Sequence, residues 1–133
     1  MIALDTNLLV RTVVNDDPVQ TAMVLDLIGS NTVFLPRTVL LETEWVLRSR
    51  YQQTRPVIEQ LLRRLLDAED VLVEGAWQVS LALDWYQLGA DFADALHLAT
   101  CGSATMHTFD RGFCKQARAT GAAPPITVLE TKG

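Results

Sequence analysis

"VLVEGAWQVSLALDWYQLGADFADALHLATCGSATMHTF", residues 71–109, holds the alternation that decides the fold. A short run rich in β-branched residues, "VLVE" (71–74), reads as a strand. "AWQVSLALDWYQL" (76–88) follows with helical spacing and meets Gly89, a natural residue just past a helix end. "FADALHLATC" (92–101) forms a second helical pattern, closed by Gly102, and "TMHTF" (105–109) returns to strand. A strand that reaches the next strand through helices implies a crossover connection and a parallel sheet.

The same alternation runs outward to both ends. "IALD" (2–5), "TVFL" (32–35) and "ITVL" (126–129) read as three further strands, giving five short strands in all. Between them, helices are expected over 6–14, over 37–51, and over 55–69, where apolar pairs at 57/58, 61/62 and 65/66 make a helical stripe. A helix also follows Asp17, with Asp17 as N-cap, Pro18 at the first helical position and Gln20 at the third. A short basic helix, "GFCKQARAT" (112–120), is ended by Gly121. The fold class is α/β, in a single domain over 1–133.

Composition narrows the function. Apolar residues make up 49% of the 133, enough for a core without staples. No apolar run approaches the 18 or so residues of a membrane span. The start, "MIALDTN", has no basic region or long apolar segment, so no secretory leader is expected. Cys101 and Cys114 have no framework spacing and read as reduced thiols, which points to the cytoplasm. His97 and His107 lie ten positions apart and no CxxC occurs, which argues against a Cys/His zinc site. A net charge of −5 makes a poor non-specific binder of nucleic acid. It leaves room for an enzyme whose acidic pocket holds a metal.

Functional groups of parallel sheets gather beyond the carboxyl ends of the strands. Asp5, Pro36, Glu74, Asp110 and Glu130 occupy those positions. Asp5 and Asp110 converge if the first and fourth strands are neighbours, although each also suits a helix cap or a turn. Asp91 sits where an N-cap belongs. Asp94 falls in the first helical turn, where negative charge suits the macrodipole. Its neighbours Phe92, Ala93, Ala95, Leu96 and Leu98 are apolar, and a carboxylate so placed needs a partner or a cation. Two carboxylates about 4 Å apart repel by about 4 kcal/mol at an effective dielectric near 20. Several in one pocket call for proton uptake or a divalent ion, and hard oxygen donors select Mg²⁺ or Mn²⁺.

With "LDTN" at 4–7, a Glu within "VLLETEWVLR" (39–48), "DFADALHLA" at 91–99 and "TFDRGF" at 108–113, the whole chain resembles PIN-domain proteins, specifically the VapC-like toxins of bacterial toxin–antitoxin pairs. The resemblance implies a five-stranded parallel sheet in order 3-2-1-4-5, and an acidic site of Asp5, Glu42, Asp94 and Asp110. Glu42 and Glu44 stand about 200° apart on a helix, so at most one faces a pocket. Periodicity does not choose between them; the family pattern matches Glu42, leaving Glu44 for solvent or a partner. Thr6 resembles the hydroxyl residue that orients the first Asp. Thr108 shares a strand face with Asp110, and Asp91 is a secondary metal candidate as well as a cap. Arg111 and Lys115 could touch phosphate, with surface solvation the plainer reading.

The resemblance further implies a Mg²⁺- or Mn²⁺-dependent endoribonuclease that cuts structured RNA (transfer or ribosomal) by water attack and releases a 3′-hydroxyl. It implies a homodimer and a cognate antitoxin too. A PIN-domain RNA-processing nuclease without a toxin role is the alternative, and a related binding module without catalysis is disfavoured because all four acids are present. A receiver-type phospho-acceptor needs paired acids after the first strand; this chain has Asp5 alone there, then Glu74, and after the last strand only Lys132. A lone His97 on an apolar helix is expected to be packed. Trp45/Tyr51 and Trp77/Trp85 are expected to be core or dimer contacts in preference to base-stacking platforms.

Overall fold

A computed structural model describes residues 1–121 and 123–131. Lys132, the only lysine after the last strand, lies outside the described residues. The chain divides into two compact units, Met1–Ala76 and one that begins at Trp77.

The first unit is built on three parallel strands, β1 (Ile2–Ala3), β2 (Val33–Leu35) and β3 (Val71–Val73). Their order is β1-β2-β3, with Ile2 opposite Val33 and Val33 opposite Val71. The central strand buries Val33 and Leu35, the alternate residues of one face. Helices α1 (Thr6–Arg11) and α2 (Pro18–Ser30) link β1 to β2; α3 (Arg37–Ser49) and α4 (Arg55–Asp67) link β2 to β3. Helix α3 turns Leu40, Thr43, Glu44 and Leu47 inward, the i, i+3, i+4, i+7 stripe of a half-buried helix. Helix α2 buries Val24 alone and leaves Val19, Met23, Leu25 and Leu27 exposed.

The second unit begins with α5 (Ala76–Gln87), whose first residue belongs to the preceding unit, and α6 (Phe92–Ala99). Strands β4 (Met106–Thr108) and β5 (Ile126–Val128) then pair in parallel around α7 (Lys115–Ala119). Tyr86 and Phe92 meet edge to face, with ring centroids 5.6 Å apart, and both are fully buried.

The element types agree with the sequence; the first helix stops at Arg11 rather than 14, and two further details differ. The hydrogen-bonded strands form a three-stranded and a two-stranded parallel sheet, where one sheet of five was expected. The strands are only two or three residues long, and β1 pairs through Ile2 and Ala3 alone. The basic helix expected over 112–120 begins only at Lys115, because Cys114 takes a left-handed conformation (φ 44°) that a helix interior does not accept.

Truncating Phe92 to Ala removes a buried ring from the second unit. The expected loss is about 3–5 kcal/mol, read from urea denaturation; a loss below about 1 kcal/mol would show that this packing contributes little.

Candidate active site

Three of the acids singled out by the sequence, Asp5, Asp91 and Asp110, are each held by a nearby backbone amide. Asp5 is exposed and caps α1: its Oδ1 accepts from the Thr6 amide at 2.7 Å. Asp91 caps α6, its Oδ2 accepting from the Asp94 amide at 3.0 Å. Asp110 closes the turn after β4, where its Oδ1 accepts from the Gly112 amide at 2.8 Å, and its own amide donates to Thr108 Oγ1 at 3.0 Å. The capping and turn roles are therefore real. They do not exclude chemistry, because each of these bonds uses one carboxylate oxygen.

Asp94 is placed differently. It lies half-buried in the first turn of α6. Burial pushes its carboxyl pKa up, and the charge of Asp91 adds to it; His97 opposes them, and Asp110 makes the smallest push upward. A second group feels the same field. The Cys114 thiol is raised to about 12, first by burial and then by Asp94 and Asp91, with Asp110 adding to them and Arg118 opposing. Asp91, Asp94 and Asp110 thus share one region of the second unit. Arg111 and Lys115 are exposed; Arg111 lies 3.8 Å from Glu130.

In the first unit, Glu42 is exposed and lines a cavity of about 250 Å³ together with Thr6, Arg11, Trp45, Arg50 and Tyr51. Thr6 is buried, and its Oγ1 has no hydrogen-bond partner. Glu44 overturns the expectation that it faces solvent or a partner: only 2% of it is exposed. Leu40 and Leu47, seven residues apart, set the inward face of α3, and Glu44 lies between them. Its carboxylate accepts from Arg48 Nε at 2.9 Å, one helical turn on. His97 is exposed as well, contrary to the packed position expected for it. Among the described residues, no group of three or more His, Cys, Asp or Glu side chains is closed up at metal-ligating distances.

The donor chemistry nevertheless suits a divalent ion. The side chains are oxygen donors, and a hard cation would offset both the burial that chiefly raises Asp94 and the smaller repulsion from Asp91 and Asp110. The cysteines are free, and the Cys114 thiol is held protonated, which disfavours a thiolate-bound metal.

The PIN domain family profile matches residues 2–119. The chain belongs to the PIN-domain family, whose members are generally metal-dependent nucleases. No curated protein and no solved structure gives a match. Among the described residues, no helix is long and apolar enough to cross a membrane.

Two outcomes follow from this geometry. The unfolded chain ionises Asp94 near the ordinary aspartate pKa of about 3.9, and the folded chain does so at higher pH. The folded state therefore binds the proton more tightly, and stability falls as pH rises through that interval. Asp94→Asn should raise the melting temperature above the interval and not below it; an equal gain at all pH would contradict a raised Asp94 pKa. Glu44→Ala should cost about 2 kcal/mol in denaturant titration, as expected for a charged hydrogen-bonding group lost from the interior, while Glu42→Gln leaves the midpoint in place.

Proposed function

We propose that the protein is a Mg²⁺- or Mn²⁺-dependent endoribonuclease and the toxin of a toxin–antitoxin pair, with Asp5, Glu42, Asp94 and Asp110 as its essential carboxylates. The observation that carries the nuclease reading is the family match over 2–119, across all four acidic motifs. The raised Asp94 carboxyl adds a physical reason for a cation, and Asp94, Asp110 and Asp91 are the ligands the second unit offers. Asp5 and Glu42 are those of the first unit, with Thr6 beside Asp5 as a supporting residue.

A bound divalent ion would supply Lewis acidity for attack of water on a phosphodiester. The chain's own groups do the positioning. Backbone amides hold Asp5, Asp91 and Asp110 by one oxygen each, so their rotamers are set before a ligand arrives. Thr108 holds the Asp110 amide, and the exposed Arg111 and Lys115 are the proposed phosphate contacts. No Ser-His-Asp or Cys-His arrangement is needed, because water is the nucleophile and a 3′-hydroxyl leaves.

Within the nuclease class, the toxin reading is favoured over solitary RNA processing by helix α2. Its exposed Val19, Met23 and Leu27, four residues apart along the helix, make an apolar face of the kind that partners cover. A cognate antitoxin and a homodimer are the partners proposed, and structured RNA, transfer or ribosomal, is the substrate. An acidic pocket would draw a cationic antitoxin side chain.

Purified protein with Mn²⁺ should cleave transfer or ribosomal RNA, and chelation should stop it. Asp94→Asn, Asp110→Asn and Asp5→Asn should each lower the rate by about 100-fold or more, since each removes part of the electrostatic stabilisation of the transition state. Wild-type rates in any of them would remove that residue from the set. Growth arrest on expression, relieved by the product of an adjacent small open reading frame, would support the toxin role; cleavage without arrest would leave an RNA-processing nuclease.

A further inference from the structure

The cavity beside Glu42 has a feature that the acidic chemistry does not use. Trp45 lies one turn along α3 from Glu42 and keeps 50% of its surface in solvent, although an indole gains more than most side chains by burial. Arg50, exposed at the end of the same helix, stands over the indole with its guanidinium carbon 5.8 Å from the ring centroid. Tyr51 lines the cavity next to it, and the buried, unpartnered Thr6 hydroxyl sits in its wall. This exposure differs from the core role expected of Trp45 from sequence. An aromatic face and a planar cation together make a polar and stacking surface in a space of about 250 Å³, below the 300–1,000 Å³ of ordinary ligand pockets.

We propose that this cavity is a single-nucleotide subsite: Trp45 stacks one unpaired RNA base and Arg50 contacts its phosphate. The assignment rests on the nuclease reading for its substrate class. It also answers a difficulty in that reading. A chain of net charge −5 gains little from general attraction to phosphate, so its affinity for RNA must come from local contacts. Base stacking on an aromatic ring is such a contact, because every base has a π face and the interaction needs no excess of positive charge. RNA recognition favours unpaired bases splayed onto aromatic side chains or arginine planes, and this cavity carries both. Glu42 in the same wall would then lie close to the phosphate that follows the stacked base. The subsite therefore favours cleavage at a loop or bulge over cleavage within a duplex.

The test uses the full chain and a fluorescein-labelled, mixed-sequence single-stranded RNA octamer, titrated with EDTA present so that no cleavage occurs. Trp45→Ala should weaken binding by about tenfold or more, and Trp45→Phe should recover most of it. Arg50→Ala should weaken binding and lower the salt slope by about one phosphate contact. Because Trp45 is half exposed, the variants should melt with the wild type; if Trp45→Ala does not, the Phe and Arg50 variants still decide the matter. Wild-type affinity in Trp45→Ala would overturn the subsite, as would a dimer that dissociates on Trp45→Ala with RNA affinity unchanged, which would give the surface to a second copy. A Mn²⁺ cleavage assay run in parallel separates the two readings. Cleavage with an unchanged KM in Trp45→Ala removes the subsite alone. Trp45-dependent binding without cleavage removes the nuclease reading and keeps the subsite. Absence of RNA binding removes both.

Discussion

The central constraint is a carboxylate partly withdrawn from water in the field of others. Asp94 sits in the apolar first turn of α6 and feels Asp91 and Asp110, and its proton is held more tightly as a result. Such an arrangement lowers stability in the ionised protein. The chain tolerates it because Asp91 and Asp110 also do ordinary structural work, one capping α6 and the other closing a turn. Capping and ligation are compatible uses of one carboxylate. A bond from a backbone amide occupies one oxygen and fixes the rotamer, and the second oxygen keeps its lone pairs for a ligand. Asp5, bonded to the Thr6 amide, follows the same design in the other unit.

Much of this was legible in the sequence because local punctuation wrote it. Asp17 and Pro18 start α2 where capping chemistry says they should, and Asp17 accepts from the Gln20 amide at 3.1 Å. Gly89, Gly102 and Gly121 all take positive φ at helix ends. Asp91 was read as a cap and is one. Failures came where a backbone choice has no strong residue signature. Cys114 adopts a left-handed conformation more usual for Gly or Asn, so the start of α7 could not be read from composition. The helix after Asp5 stops at Arg11, as the Thr12 hydroxyl turns back to the Leu9 carbonyl at 2.7 Å. Pairing between strands of two or three residues is decided by contacts distant in sequence, beyond the reach of any local pattern.

The candidate site was legible as a set of residue types, and less so as a set of environments. Leu40 and Leu47 carry the signal that separates Glu42 from Glu44: a helical stripe through both includes Thr43 and Glu44 and leaves Glu42 outside. Glu44 can lie inside because Arg48, one turn later, keeps its own head partly in water and holds the buried carboxylate with it. His97 was expected to be packed because its helix is apolar. Its position between Leu96 and Leu98, however, puts it about 100° from either, and α6 leaves it in solvent.

Trp45 shows the limit of composition as a guide. From sequence, Trp45 reads as a core or dimer contact. On α3 the inward stripe is already filled by Leu40, Thr43, Glu44 and Leu47, and Trp45 falls outside it with Glu42. Burying Glu44 while exposing Trp45 runs against the usual ordering of side chains. A helix that keeps this arrangement places a large aromatic surface next to an exposed carboxylate and an arginine. In an acidic chain, such a surface can attract an aromatic, phosphate-bearing ligand without turning the whole molecule into a general binder of polyanions. Selectivity for where RNA is held would then come from one stacked base, while the carboxylates remain indifferent to sequence.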